Sequence, residues 1–303
     1  MELIVLTNIF QSFIDSPFYR YAFIAGICVG VLAPLIGTVV VIRRLSFIAD
    51  TLSHFSLAGV AVGVFVAKII PASWINLDPI LMGVVFSVAG TFIIEKLRGF
   101  YKNYKELSMP ILLSLGVALS GLFIYLTPGI STNWTTGLLF GSIYSINSSD
   151  IILILSLSVI VITLSIVFYK KIVSLCFDEV YAKVSGINIR VIQLAITVIL
   201  ALVISIFLDL VGVLLISALM IVPVASAILI GTSFKSTITY SIIFSEVSVV
   251  GGFAMSYYLN LPTGSTIGLI NIAFLFIIMA ISRVKRIKFK KDDNNLNIEN
   301  END

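Results

Sequence analysis

One histidine, His54, and two cysteines, Cys28 and Cys176, are all the imidazole and thiol chemistry available in 303 residues. No Cys-x-x-Cys pair occurs, so a zinc ribbon and a thioredoxin-like redox pair are both excluded, and the thiols read as small apolar fillers. No H-E-x-x-H stretch exists to build an intramembrane metalloenzyme, and no G-x-x-x-x-G-K-[ST] loop to hold a nucleoside triphosphate. Charge is scarce too. Charged residues make up 12% of the chain and hydrophobic ones 59%, whereas a soluble domain is about a quarter charged. The net charge of +3 speaks for orientation in a membrane and contact with lipid, not for nucleic-acid binding. The first residues lack the basic stretch and small-residue cleavage site of a signal peptide.

What the chain has in abundance is apolar length. Mean hydropathy is +1.11, and apolar runs of about 20 residues, each long enough to cross a bilayer as a helix, recur from Tyr21 to Ile281. Open strands cannot satisfy their backbone in lipid. The fold class is therefore all-α, a polytopic transmembrane helical bundle of about nine spans. These are expected near 20–42, 45–67, 78–95, 108–127, 150–170, 190–208, 211–231, 236–256 and 263–282, separated by breaks at Pro71, Pro128-Gly129 and Pro262-Thr263-Gly264 or by clustered charge. The uncharged segment 129–149 is too short and polar to cross and reads as an interfacial or re-entrant loop. Ahead of the spans, Leu6, Ile9, Phe10, Phe13 and Ile14 follow helical spacing, which suits a short interfacial helix within residues 1–19. With the C-terminus cytoplasmic, all 19 Lys and Arg except Arg20 and Lys68 fall inside, as the positive-inside rule requires. The N-terminus is then outside. The tail 283–303 turns from basic to acidic and polar, a composition that predicts disorder.

Against this background a few polar residues lie deep. At about 1.5 Å of rise per residue, Asp50 sits ~8 Å inside the cytoplasmic edge and His54 ~14 Å. Glu246 reaches ~16 Å and Pro223, from the other side, ~18 Å by the same rise. Ionisable groups at such depth are costly and usually face a cavity or pathway. Asp50 and His54 are four residues apart, so they leave one helix face. A carboxylate oxygen with an imidazole nitrogen suits Zn²⁺ or Mn²⁺, with Ser53 and Ser56 near enough to add hydrogen bonds. The alternatives are that Asp50 caps the helix and that His54 or Glu246 merely bonds a neighbouring helix. Pro223 in "SALMIVPVASA" frees the carbonyl of Leu219, either as an ordinary kink or as part of a transport site; Pro34 poses the same choice.

Between the fifth and sixth spans stands "CFDEVYAKVSGINIR". Asp178 is placed to cap a short helix, Phe177, Val180, Tyr181 and Val184 share a face, and Gly186 supplies the stop. Such a helix docks into a partner's groove or lies on lipid.

In "VVVIRRLSFIADTLSHFSLAGVAVG", "FDEVYAKVSGINIR", "VGVLLISALMIVPVASA" and "SYYLNLPTGSTIGL" the chain resembles the membrane permeases of ABC importers for zinc, manganese and iron. The stretches stand in the family's order, and the likeness covers about residues 20–282. The Asp-x-x-x-His pair followed by Ala-Gly is its specific part. The resemblance implies a permease subunit of an ATP-driven importer of the cytoplasmic membrane, working by alternating access. Its implied partners are a second permease copy, two cytoplasmic ATP-binding subunits and an extracytoplasmic metal-binding protein. ATP hydrolysis then belongs to the separate subunits. No cofactor is held permanently; Zn²⁺ or Mn²⁺ is the transported substrate. Asp50 and His54, with Glu246 as a candidate third group, would line the metal pathway. Residues 177–186, including Glu179, would form the coupling helix. Zinc members resemble "DTLSH…LAG", whereas manganese members more often carry proline before that glycine; Ala58 before Gly59 favours zinc, with Mn²⁺ or Fe²⁺ as alternatives. Asn260 stands where the family more often has Asp, so no metal role is assigned there. From outside the class, an ion-coupled secondary transporter using Asp50, His54 and Glu246 as a relay is the rival; a vitamin or siderophore permease fits the fold but has no need of the Asp/His pair.

Overall fold

A computed structural model of the protein describes residues 17–69, 78–141, 148–259 and 261–300. Among these every regular element is helical. In chain order they are α1 (Pro17–Ile42), α2 (Phe47–Ile69), α3 (Pro79–Phe100), α4 (Ser108–Leu126), α5 (Thr132–Phe140), α6 (Ser148–Val167), α7 (Tyr169–Phe177), α8 (Glu179–Val184), α9 (Ile189–Val211), α10 (Val213–Ile228), α11 (Phe234–Leu259) and α12 (Thr263–Asn300). A 3-10 turn, Lys105–Leu107, precedes α4. The expected interfacial helix at residues 1–19 falls almost wholly outside the described residues.

Local sequence sets the boundaries. Asp78 accepts a hydrogen bond from the Ile80 amide and Pro79 occupies the first turn of α3, the preferred chemistry at a helix start. Ser131 caps α5 and Asn188 caps α9 in the same manner. Among the described residues eight helices are long and apolar enough to cross a membrane, and the ninth expected span is shorter. Where one run was expected over 211–231, Gly212 (φ +79°) ends α9 and starts α10, leaving a helix of 16 residues. The segment 129–149 supplies the nine-residue α5, too short to cross. α12 departs from expectation at its end: it continues as helix to Asn300 where composition predicts disorder, because extending an existing helix costs far less than nucleating one.

α10 is the hub. It packs against α1, α2, α11 and α12, and its Leu215, Ile216, Leu219, Met220 and Val224 are all buried. α2 lies beside it, gripped by α3 and α4. That grip uses small residues, as membrane helices do when dispersion is their main attraction. A Cβ on Gly59 would run into the Met82 carbonyl of α3, and one on Gly116 into the backbone of His54 and Phe55. At the perimeter, Ile152, Val159 and Ile166 of α6 and Leu269 and Phe276 of α12 are exposed.

Candidate metal pathway and cytoplasmic face

From Ile48 to Ala61 every residue of α2 is buried except Asp50 and His54. The rotation that produces this stripe is pinned from both flanks. Thr51 donates to the Met109 carbonyl of α4 at 3.2 Å. Ser56 donates to Ser205 of α9 at 2.9 Å. With its two flanks fixed, α2 must present Asp50 and His54 through the gap between them. Ser53 is turned back on its own helix, donating to the Ala49 carbonyl at 2.8 Å, so neither serine serves the pair.

The structure removes one reading of Asp50. α2 begins at Phe47, so Asp50 stands inside the first turn and caps nothing. A carboxylate there still gains from the positive end of the helix dipole. Among the described residues neither the Asp50 nor the His54 side chain has a hydrogen-bond partner. A carboxylate and an imidazole, adjacent and uncommitted, are a ligand pair for a borderline-soft divalent cation.

Glu246 is elsewhere. Its carboxylate lies against Gly30 of α1, and α11 packs on α1, α10 and α12, not on the Asp50/His54 face of α2. Its Oε1 is buried with no hydrogen-bond partner, which removes the reading of a simple bond to a neighbouring helix. Among the described residues no three His, Cys, Asp or Glu side chains gather to hold a metal ion. Pro223 is buried within α10, which runs through it as one helix. Pro34 lies likewise inside α1, with the Thr38 hydroxyl donating to its carbonyl at 2.8 Å. Both cysteines are free. Cys176, outside the spans, has its thiol pushed up to about 11 by burial, against the opposing charge of Arg43.

At the cytoplasmic side α8 is built as its sequence predicts. The Asp178 carboxylate accepts from the amides of Val180 and Tyr181 at 2.8 and 2.9 Å. Gly186, at φ +78°, closes the other end: Ile187 donates to Ala182 and Gly186 to Lys183, the paired bonds of a Schellman stop. Ala182 is buried, while Phe177, Val180, Tyr181 and Val184 are each more than 60% exposed. Three large apolar side chains are thus held out on a six-residue helix, with Phe177 at the end of α7 beside them. Removing the cap with Asp178→Ala should weaken this helix by about 1 kcal/mol, and hydrogen exchange at the Val180 and Tyr181 amides measures it; unchanged protection would contradict the capping geometry.

Sequence reading missed a third feature. Arg43 donates to Glu179 of α8 at 2.6 Å and to Gln193 of α9 at 3.2 Å, and Gln193 donates to Glu95 of α3 at 2.8 Å. The signal in the sequence was Gln193, a lone amide in the first turns of an otherwise apolar helix.

Two cavities complete the survey. One of about 200 Å³, lined by Leu35, Ile36, Val39, Leu164, Phe168 and Ile196 among others, has no ionisable group and offers a cation nothing. Another of about 210 Å³ borders the outer half of α2, with Asp78, Trp134 and Ser205 in its wall.

Residues 15–282 match the ABC 3 transport family. The chain is 30% identical over 266 residues to the high-affinity zinc uptake system membrane protein ZnuB of Haemophilus influenzae, covering 86% of this chain and 96% of that protein. It is 27% identical over 286 residues to the manganese transport system membrane protein MntC of Listeria innocua, covering 93% and 96%. The solved structure of PsaBC from Streptococcus pneumoniae, in complex with Fab, superposes with a TM-score of 0.78 at 27% identity, covering 90% of this chain and 95% of that one. This multi-pass membrane protein therefore belongs to the ABC 3 transport family, as a membrane permease of the metal ABC importers.

Proposed function

We propose that the chain carries Zn²⁺ inward by alternating access, as one of two permease copies, with Asp50 and His54 of each copy as the ligands the ion meets on its way. The carrying observation is the burial pattern of α2: within Ile48–Ala61 the two side chains able to bind a metal are the two that are not enclosed. A carboxylate and an imidazole facing acyl chains would be expensive, so a second copy set against this face supplies both cover and two further ligands. Four ligands shared between two chains also part when the chains move, and an ion in transit must be released. The imidazole and the Ala58-Gly59 pair favour zinc over Mn²⁺ or Fe²⁺; relatives are named for zinc and for manganese alike. Membership of an ABC family removes the support for an ion-coupled secondary transporter. Uptake of radiolabelled Zn²⁺ and Mn²⁺ in cells with and without the gene tests the assignment. Gene-dependent zinc uptake is expected; gene-dependent uptake of manganese alone would overturn it.

Energy comes, on this reading, from ATP-binding subunits docked on α8, and metal from an extracytoplasmic binding protein. The exposed apolar quartet Phe177, Val180, Tyr181 and Val184 supports α8 as the docking element. The double variant Val180→Asp, Val184→Asp should cut co-purification of the ATP-binding subunit by roughly tenfold or more, the scale of losing an interface hot spot. Undiminished co-purification would place the contact elsewhere.

A further inference from the structure

The polar chain at the cytoplasmic face joins α8 to the helix that carries the metal-binding pair. Arg43 is its centre. The guanidinium side chain is only 7% exposed, yet it reaches Glu179, which is 60% exposed, and Gln193 behind it. Gln193 passes the chain on to Glu95, which also receives Arg98 at 3.3 Å. Four elements are thereby tied at one point: α8, the α1–α2 corner, α9 and α3.

The corner is built to move as a unit. Arg44 donates to the Val41 carbonyl and Leu45 to that of Val40, both at 2.9 Å. Arg44 sits at φ +57°, the left-handed position that glycine usually fills in such a stop. Ile48 then donates back to Leu45, so α2 begins without slack, and Asp50 lies in its first turn. A shift of α8 pulls Arg43 through Glu179, and the corner can yield only by carrying the start of α2 with it. The outer link is suited to a moving joint. An ion pair with one exposed partner is cheap to make and break, whereas the buried guanidinium keeps its hold on Gln193.

We propose that Arg43 is a positioning residue, the link through which displacement of α8 reaches Asp50 and His54 on α2. This rests on the transport reading above and adds the route by which work done on α8 arrives at the metal-binding pair.

The test uses the full complex in proteoliposomes, with ATP-binding subunits and metal-loaded binding protein, and reads zinc transported per ATP hydrolysed. Arg43→Ala should keep basal ATP hydrolysis while zinc per ATP falls roughly tenfold, a typical coupling between sites. The swap Arg43→Glu with Glu179→Arg should recover part of that loss. An unchanged ratio in Arg43→Ala overturns the proposal; so does a proportional fall of hydrolysis and transport together, the mark of a structural role alone. If Arg43→Ala fails to insert, Gln193→Met replaces it under the same two criteria. Asp50→Asn runs in parallel. Wild-type transport by that variant would sink the metal-pathway reading and not the Arg43 link, since the two are scored on different residues.

Discussion

His54→Ala and Asp50→Asn should each reduce zinc uptake by about a hundredfold or more, since altering even the partners behind a metal ligand typically costs 10–100-fold. The protein should nevertheless remain folded. Neither side chain has a hydrogen-bond partner among the described residues, and both are only partly buried where their neighbours on α2 are enclosed. The cavities and broken networks that make substitutions severe do not arise here. Removing the Asp50 charge even relieves a penalty of at most about 2.5–3.5 kcal/mol, the insertion-scale value at a helix centre, so the thermal midpoint in detergent should hold or rise as transport disappears. That opposition is the mark of a residue kept for its chemistry. Uptake of labelled zinc and a melting curve on one preparation measure both. Normal uptake in either variant would refute a metal role for that residue.

Gly212→Ala should have one of the largest structural effects of any single methyl group added to the chain. Gly212 adopts φ +79° and ψ 156°, a region essentially closed to other residues and worth about 1–3 kcal/mol of strain. Its Cβ would also strike the backbone of Leu139, Phe140 and Gly141, where the end of α5 is wedged against the α9–α10 corner. Overpacking of this kind adds about another 1–3 kcal/mol. The sum is a sizeable share of the 5–15 kcal/mol that holds a typical domain together, so the variant should accumulate poorly and melt early. Gly186→Ala is the matched control. Its φ is nearly the same, +78°, with no atom within 4 Å of the added carbon, and it should cost only about 1–2 kcal/mol. Equal melting temperatures for the two would show that α5 is not seated where the structure has it.

Much of this arrangement is legible in the residues. Apolar runs of bilayer length mark the perimeter helices because lipid forbids the alternatives, and Asp178 with Gly186 brackets α8 through purely local chemistry. Asp50 and His54 are visible through their spacing and their rarity. The span whose length the sequence misjudges is α10: a continuous apolar run does not disclose that a glycine in the ε region divides it. Depth along each helix also gives no direction around it. Glu246 therefore shares a level with His54 on paper but points at Gly30 in the fold, while the flanking bonds of Thr51 and Ser56 that aim the pair depend on α4 and α9. Arg43 escapes for the same reason, since its partners are 136 and 150 residues away.

The brevity of α10 has a consequence for the membrane the protein inhabits. Sixteen residues rise only about 24 Å, less than the ~30 Å of a typical hydrocarbon layer. A lipid-facing segment so short would have to thin the bilayer around it. Walled in by α1, α2, α11 and α12, α10 meets protein instead, and accommodating acyl chains of different length falls to the outer ring. Altered lipid composition should then tilt the perimeter while leaving the central helix at its own height.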